Sequence, residues 1–375
     1  AQARLRRMLA GRRPALNAVA EPGSELATLR RELQKQRRHK PIRQLFREIP
    51  QLLGQLKPCL LMSPLSVSQF LDPEVAPFDL VIFDEASQIR TEDAIGAIMR
   101  GRALIVVGDN RQLPPTNFFA AEAEPDPDDD DAADAELFES VLDAASAAGL
   151  PTRLLRWHYR SRDEALITFS NRQFYSARLA TFPNAAAAPG RGVSFVHVPD
   201  GVYDRQASRT NAAEARRVAD LAIERWRATP ERSLGVVTFS QPQQLAVLHE
   251  LERRRAADES LAPLLDESRP EPFFVKNLEN VQGDERDVMI ISVGYGPDAA
   301  GRVLMNFGPL NQLGGERRLN VAITRARDCV VVVSSLLPEA IDTRRVQNPG
   351  PRLLREYLDY ARRGGPGGGV GAEVR

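Results

Sequence analysis

The chain has 375 residues, of which 43% are hydrophobic, and its 50 acidic residues balance its 50 basic residues. This length allows two hydrophobic cores, and the zero formal net charge excludes a globally basic protein, so any groove for nucleic acid must be local. The two cysteines, Cys59 and Cys329, lie in apolar runs, which predicts buried thiols and not a disulfide or a metal site. No apolar stretch approaches the length of a transmembrane helix, which predicts no membrane contact.

Residues 1–57 are predicted to be helical and basic. Apolar residues recur at helical spacing across 26–46, and Arg37, Arg38 and Lys40 lie near the end of this stretch. The apolar run at 59–62 follows and is predicted to be a strand.

Two short apolar runs then end in acidic residues. The run at 80–83 precedes Asp84 and Glu85, and the run at 103–107 precedes Gly108 and Asp109. Short β-branched runs indicate parallel strands buried on both faces, and ligands bind beyond the carboxyl ends of such strands. Phosphoryl transfer needs one carboxylate for Mg²⁺ and often a second one for the attacking water. In an alternative interpretation, Asp84 and Glu85 only cap a helix at 87–99.

The remaining segments divide into an acidic loop, a second α/β region and a tail. Proline and clustered aspartate at 122–136 predict a disordered surface loop, without the glycine and final glutamate of a calcium loop. Strand-like runs at 194–198, 234–239, 288–293 and 330–334 alternate with helical stretches at 211–227 and 242–256, which indicates a parallel sheet. The glycine-rich tail is predicted to be a flexible linker.

Five segments resemble the motifs of superfamily 1 helicases, in the family's order. FDLVIFDEAS (78–87) resembles motif II and VVGDNRQLPP (106–115) resembles motif III. Residues 154–175, 275–293 and 317–327 resemble motifs IV, V and VI. The resemblance covers about residues 40–360 and implies an α/β fold of two RecA-like P-loop NTPase domains. The residues of these motifs are most similar to those of the branch that moves 5′ to 3′. They also resemble bacterial proteins in which such a core precedes a Vsr-like endonuclease domain.

The resemblance also implies roles for individual residues. Asp84 would bind Mg²⁺, Glu85 would act on the attacking water, Gln112 would sense the γ-phosphate, and Arg160 and Arg325 would be arginine fingers. Further nucleotide contacts are expected at Gly108, Asp109, Gly283 and Glu285. Contacts to the nucleic-acid strand are expected at Ser63, Pro114, Pro115, Asn280 and Gln282.

Three further side chains near these motifs have weaker interpretations. Trp157 and Phe118 could stack on bases, although burial is favoured for Trp157. His158 is expected to shape motif IV and not to bind a metal, because no second ligand lies at suitable spacing.

The phosphate-binding loop of the family has no counterpart in the sequence. No Gly-Lys-Ser or Gly-Lys-Thr occurs, and none of the four lysines follows a glycine. The resemblance places that loop upstream of motif II, before an inserted subdomain. Residues 1–57 are therefore expected to be a helical remnant of that subdomain, although an ordinary solvated helix face fits equally well. Residues 58–150 would form an incomplete first RecA-like domain, 151–362 the second, and 363–375 the linker. Residues 55–150 are expected to pack less fully than residues 151–360.

The implied function is ATP- and Mg²⁺-dependent movement of a bacterial cytoplasmic helicase on single-stranded nucleic acid, expected to be DNA. The polypeptide by itself is not expected to hydrolyse ATP substantially. Two alternatives remain open: an ATPase-dead nucleic-acid-binding or scaffold module, and the motor subunit of a restriction or defence nuclease. A nuclease domain would then lie elsewhere in the full-length chain.

Overall fold

A computed structural model describes residues 19–73, 78–115, 139–182 and 190–365. The chain divides into two compact units. Unit 1 comprises Ala1–Asn110 and Pro114–Thr152, and unit 2 comprises Arg111–Leu113 and Arg153–Arg375. Each unit contains a parallel β-sheet together with helices, so the predicted α/β class is confirmed.

Unit 1 contains a two-stranded parallel sheet, in which Val81 pairs with Leu104 and Phe83 with Val106. Its strands are β1 (Val81–Phe83) and β2 (Leu104–Val106). Its described α-helices are α1 (Glu25–Gln34), α2 (Ile42–Glu48), α3 (Pro50–Leu56), α4 (Pro64–Phe70), α5 (Thr91–Ile98) and α6 (Val141–Ala147). Serine side chains cap three of these helices, because a hydroxyl oxygen accepts a bond from an otherwise unpaired backbone N–H.

The core of unit 1 is small. Five buried side chains form its apolar cluster, Phe83, Ala86, Ala94, Ala97 and Val141, and Ile49, Leu52 and Leu71 are buried outside it. In the strands, Ile82 is 60% exposed and Ile105 is 46% exposed, so the prediction that both strands are buried on both faces is wrong. Alternate strand residues point to opposite faces, and the side chains that pack on Phe83 leave the other face open. The open face of these two strands agrees with the incomplete packing expected for residues 55–150.

Unit 2 contains a five-stranded sheet in which all pairs are parallel, with the order β3-β7-β6-β4-β5. The strands are β3 (Gly192–His197), β4 (Leu234–Thr238), β5 (Phe274–Asn277), β6 (Arg286–Ser292) and β7 (Ala326–Ser334). The α-helices are α7 (Ala165–Phe174), α8 (Ala212–Ala228), α9 (Gln241–Ala257), α10 (Gly315–Ile323) and α11 (Pro349–Arg362). The strands and helices predicted for this region are confirmed to within a few residues.

Burial on both faces explains the apolar strands of unit 2. Two separate clusters share β7, with Val330 and Val332 in one and Val331 and Val333 in the other. Because successive side chains of a strand point to opposite faces, an uninterrupted valine run supplies both layers of the core. The sheet is thus a rigid support for the loops that leave its edges.

Three predictions for the first part of the chain are wrong. Residues 59–62 form no strand, and Leu61 is 95% exposed, because no described strand pairs with this segment to satisfy its backbone groups. Cys59 is accordingly exposed, whereas Cys329 is buried as predicted. The single helix predicted across 26–46 is broken in two, since α1 ends at Gln34 and Pro41 precedes α2.

Several predictions lie outside the described residues: the acidic loop at 122–136, Phe118, residues 1–18 and the linker beyond residue 365. Within the four described ranges, none of the helices combines the length and apolar character needed to cross a membrane.

Candidate functional site

The carboxyl ends of β1 and β2 bring the predicted residues of unit 1 together. The parallel register continues beyond Phe83 and Val106, and the backbone N–H of Ala86 donates to the carbonyl oxygen of Val107 at 2.9 Å. A Cβ atom on Gly108 would lie 3.0 Å from the backbone nitrogens of Ala86 and Ser87, so glycine permits this close approach. Asp84, Glu85, Gly108 and Asp109 therefore share one edge of the sheet, as the sequence predicted.

Glu85 has a strained backbone. Its φ of 52° and ψ of 38° are left-handed, a conformation that costs a residue with a side chain about 1–2 kcal/mol. The backbone N–H of Glu85 donates to Asp84 Oδ1 at 3.0 Å, and both side chains are exposed. Glu85 is the N-cap residue of a short 3-10 helix, Ala86–Gln88, but it makes no side-chain capping bond there. The α-helix α5 begins only at Thr91 with Arg90 as its N-cap, so the continuous helix at 87–99 that the acidic pair would cap is not formed.

A metal ion at this edge would depend on few protein ligands. No group of three or more histidine, cysteine, aspartate or glutamate side chains with the geometry for a metal occurs among the residues that the structure describes. Mg²⁺ is commonly held by one or two carboxylates, with waters and substrate phosphates completing an octahedron. Asp84 fits that role, because its exposed carboxylate stands next to the strained turn.

The segment Arg111–Leu113, which carries Gln112, belongs to unit 2. Leu113 is 3% exposed within the larger core cluster of that unit, and its backbone N–H donates to Gln282 Oε1 at 3.2 Å. Asn320 Nδ2 donates to the carbonyl oxygen of Arg111 at 2.9 Å and lies 2.9 Å from the Tyr175 hydroxyl. Gln282, predicted to contact a nucleic-acid strand, thus holds the backbone beside Gln112.

Sequence reasoning did not single out Asn320 as a functional residue. It lies within the 317–327 motif, and it is a fully buried polar residue in the otherwise apolar face of α10. A polar residue among apolar neighbours in the sequence was the signal that could have identified Asn320.

Arg160 forms an ion pair with Glu285, and Nε lies 2.5 Å from Oε2. The other carboxylate oxygen of Glu285 lies 3.7 Å from Arg327 Nη1, and Arg327 Nε lies 3.0 Å from Asp287 Oδ1. Two predicted nucleotide-site residues, Arg160 and Glu285, are therefore in direct contact within unit 2.

His158 supports the turn that carries Arg160. Its Nε2 accepts a hydrogen bond from the backbone N–H of Ser161 at 3.2 Å and lies 2.8 Å from Ser161 Oγ. Burial, and then the positive charges of Arg160 and Arg325, lower the pKa of His158 to about 4. The imidazole is therefore neutral at pH 7 and can accept this bond, which fits the predicted role in shaping the segment.

Arg325, the second predicted finger, is 2% exposed. Its Nε donates to the carbonyl oxygen of Val321 at 2.8 Å, and Nη2 donates to Thr324 Oγ1 at 3.0 Å. These two bonds use two of the five N–H donors of the guanidinium and hold the buried side chain against the end of α10.

The residues predicted to contact nucleic acid are divided between the units. Ser63 is the N-cap of α4, and its Oγ accepts from the backbone N–H of Ser66 at 3.2 Å. Pro114 and Pro115, like Ser63, fall in unit 1. Asn280, which is exposed, and Gln282 lie in the turn after β5, in unit 2. Gly283, a predicted nucleotide contact, has a φ of +85° in the same turn. Neither unit by itself brings all five predicted residues together.

Comparison with known proteins identifies the family. A sequence profile described as AAA domain matches residues 133–336, which is more than half of the chain, and a second AAA domain profile matches residues 60–119. The chain belongs to the AAA domain family. The match at residues 60–119 contains the acidic edge of β1 and β2. The match at residues 133–336 contains the segments around Arg160, Glu285 and Arg325.

Proteins similar to this AAA-domain chain have helicase names. An uncharacterized ATP-dependent helicase of Mycoplasma pneumoniae is 35% identical over 325 residues, which is 82% of this chain and 28% of the relative. Its Mycoplasma genitalium counterpart is 35% identical over 331 residues, with 84% and 28% coverage. The Saccharomyces cerevisiae DNA polymerase alpha-associated DNA helicase A is 26% identical, with 77% and 42% coverage. These matches support the superfamily 1 assignment.

The chain spans less than a third of the length of the two Mycoplasma relatives.

Among solved structures, a PRRSV helicase aligns with a TM-score of 0.34 and 14% identity, over 69% of this chain and 36% of that chain. A score of this size adds no structural detail.

Proposed function

We propose that this chain is the motor core of a superfamily 1 helicase, which hydrolyses ATP and couples hydrolysis to movement on single-stranded nucleic acid. One observation carries the proposal. Glu85, an exposed carboxylate, is held in a strained left-handed conformation at the carboxyl end of a parallel strand, beside Asp84. Backbone strain of this kind persists where the surrounding structure enforces it, and it clusters at functional sites.

The proposed roles follow the chemistry of the side chains. The carboxylate of Asp84 would bind Mg²⁺, and that of Glu85 would orient or deprotonate the attacking water. Gln112 would sense the γ-phosphate. Arg160 and Arg325 would stabilise charge on the transferred phosphoryl group, since a planar guanidinium contacts two oxygens at once. Glu285, with Gly108, Asp109 and Gly283, would contact the nucleotide.

The finer assignments rest on the motifs and on the names of the relatives. DNA is proposed as the strand and 5′ to 3′ as the direction, with Ser63, Pro114, Pro115, Asn280 and Gln282 as contacts that read no base sequence. The natural polypeptide is proposed to be a cytoplasmic bacterial protein that also carries a Vsr-like nuclease domain. Because the sequence has no Gly-Lys-Ser or Gly-Lys-Thr, the phosphate-binding loop would have to come from sequence outside these residues.

The test is ATP hydrolysis by the natural full-length protein, measured with and without single-stranded DNA and compared with Glu85→Gln. We expect stimulation by single strands and a loss of turnover in the variant of about 100-fold or more, because the side chain that acts on the water is removed. Glu92→Gln, at an exposed position of α5, is a matched control and should retain turnover.

The absence of the lysine-containing loop favours one second candidate, an ATPase-dead nucleic-acid-binding module. The same measurements separate the two functions. A folded full-length protein that binds single strands but hydrolyses no ATP would establish the binding module and refute the motor.

A further inference from the structure

An exposed aromatic pair lies on the surface of unit 2. Trp157 was expected to be buried, but it is 64% exposed, and Phe182 is 70% exposed. Their ring centroids are 5.2 Å apart with an angle of 29° between the planes, which is a stacked arrangement. Large aromatic side chains that remain this accessible on a folded protein indicate a surface that binds something.

The backbone holds the pair in place. The N–H of His158 donates to the carbonyl oxygen of Ala180 at 2.9 Å, and the N–H of Ala180 donates to the carbonyl oxygen of Arg156 at 2.7 Å. The side-chain amide of Asn171 makes two further bonds, both 3.0 Å, to the backbone of Leu179. The two segments that carry the rings are therefore tied to each other and to helix α7, so the rings are organised before any ligand binds.

The surroundings of the pair are positively charged. Arg153, Arg156 and Arg178 are exposed, and residues 153–160 and 178–182 contain no acidic residue. Two contacts to carboxylates involve these segments: Glu164 accepts from Thr181 Oγ1 at 3.1 Å, and Glu285 pairs with Arg160. A ligand at this surface would meet stacked π-systems on two paired segments that also carry exposed arginines.

We propose that Trp157 and Phe182 form a stacking platform for the bases of a single-stranded nucleic acid, with Arg153, Arg156 and Arg178 contacting its phosphates. Aromatic faces accept every base, and neighbouring cations follow the backbone, so this combination binds single strands without sequence preference. An aliphatic peptide would gain little from three adjacent guanidinium groups. The inference rests on the proposed function and adds a contact region outside the five residues assigned to the strand there.

The chain provides its own probe, because Trp157 and Trp226 are its two tryptophans. Trp226 lies in α8 and packs against a core cluster. In a Trp226→Phe background the fluorescence therefore reports Trp157 alone. We expect oligo(dT) to quench this fluorescence saturably, and the apparent affinity to fall as the salt concentration rises. Mg-ADP or Mg-ATP without the oligonucleotide should leave the emission unchanged.

Affinity measured by fluorescence anisotropy of labelled oligo(dT) completes the test. Trp157→Ala and Phe182→Ala should each weaken binding by about 5- to 150-fold, whereas Trp157→Phe should restore most of the affinity. Arg156→Ala should reduce the salt dependence by about one counterion. Leu155→Ala removes an exposed aliphatic side chain from the same segment, so it is the matched control and should bind normally.

The outcomes separate this inference from the proposed function. Normal oligo(dT) affinity in Trp157→Ala, without quenching in the parent, would overturn the platform and leave nucleic-acid binding intact. Quenching by nucleotide alone would also overturn it, since the base would then belong to ATP. No binding of oligo(dT) by the folded chain would contradict both proposals.

Discussion

Arg160 and Glu285 lie 125 positions apart in the sequence, yet Arg160 Nε is 2.5 Å from a carboxylate oxygen of Glu285. Each side chain is about one-third exposed, at 30% and 38%. Solvent screens a pair of this kind, so its contribution to stability is small, about 0–1 kcal/mol. The ion pair would instead orient the Arg160 guanidinium, because the Glu285 carboxylate binds one edge of this planar group.

We therefore expect Arg160→Lys to reduce ATP turnover by the full-length protein about 10³-fold or more, while the free energy of unfolding changes by less than about 1 kcal/mol. Lysine keeps the charge but cannot present two parallel N–H groups. Steady-state kinetics and urea unfolding check the two parts. Arg162→Lys, which alters a neighbouring arginine paired with Asp328, should retain most of the turnover. Equal losses in both variants would refute the finger role of Arg160.

Asn320 is expected to stabilise the segment that carries Gln112. In Asn320→Ala the carbonyl oxygen of Arg111 and the hydroxyl of Tyr175 each lose a partner, so the free energy of unfolding should fall by about 1–3 kcal/mol. Gln312→Ala, at an exposed position, is the control and should stay within about 0.5 kcal/mol of the parent. Urea unfolding gives both values. If Asn320→Ala left the free energy of unfolding unchanged, these hydrogen bonds would not anchor the segment.

Glu214 is expected to make the stability of unit 2 depend on pH. It is fully buried and accepts bonds from Ser292 Oγ at 2.8 Å and the Gly294 N–H at 2.6 Å, while both the N–H and the Oγ of Ser335 donate to its second oxygen. Burial outweighs these donors and raises the pKa of the carboxyl group from 4.5 to about 7.

Between these two pKa values the folded protein binds more protons than the unfolded chain. The stabilisation is therefore complete below pH 4.5 and is lost as the pH rises to about 7, by about 3 kcal/mol in total. Glu214→Gln should abolish this slope, so that the difference between variant and parent shifts in favour of the variant as the pH rises. Urea unfolding across this pH range measures it, with exposed Glu267→Gln as the control. Parallel curves for Glu214→Gln and the parent would contradict the raised pKa.

The two sheets should respond differently to the same substitution. Val331 is 1% exposed in β7, whereas Val107, just after β2, is 37% exposed. Valine and threonine have nearly the same shape, so Val331→Thr buries a hydroxyl and should cost about 1–3 kcal/mol, while Val107→Thr should cost less than about 0.5 kcal/mol. Hydrogen exchange should likewise be faster at residues 81–106 than at residues 286–334. Equal exchange in the two regions would contradict the open packing of unit 1.

Local sequence pattern was sufficient for the parts of the fold that depend on local burial. The valine run of β7 and the apolar runs of β4 and β6 are typical of a sheet covered on both faces, so their strands were predicted to within a few residues. The same reasoning failed for residues 59–62, because a strand needs a hydrogen-bonding neighbour that the segment itself does not reveal.

For the site, the sequence by itself determined which residue types follow β1 and β2, and their shared edge followed from parallel topology. Only the tertiary structure decided that Glu285 meets Arg160, that Gln282 and Asn320 hold Arg111–Leu113, and that Trp157 remains exposed beside Phe182. These relationships join residues distant in the chain, or depend on how much of a side chain its neighbours cover. Both properties arise from packing, which a one-dimensional pattern of residue types does not encode.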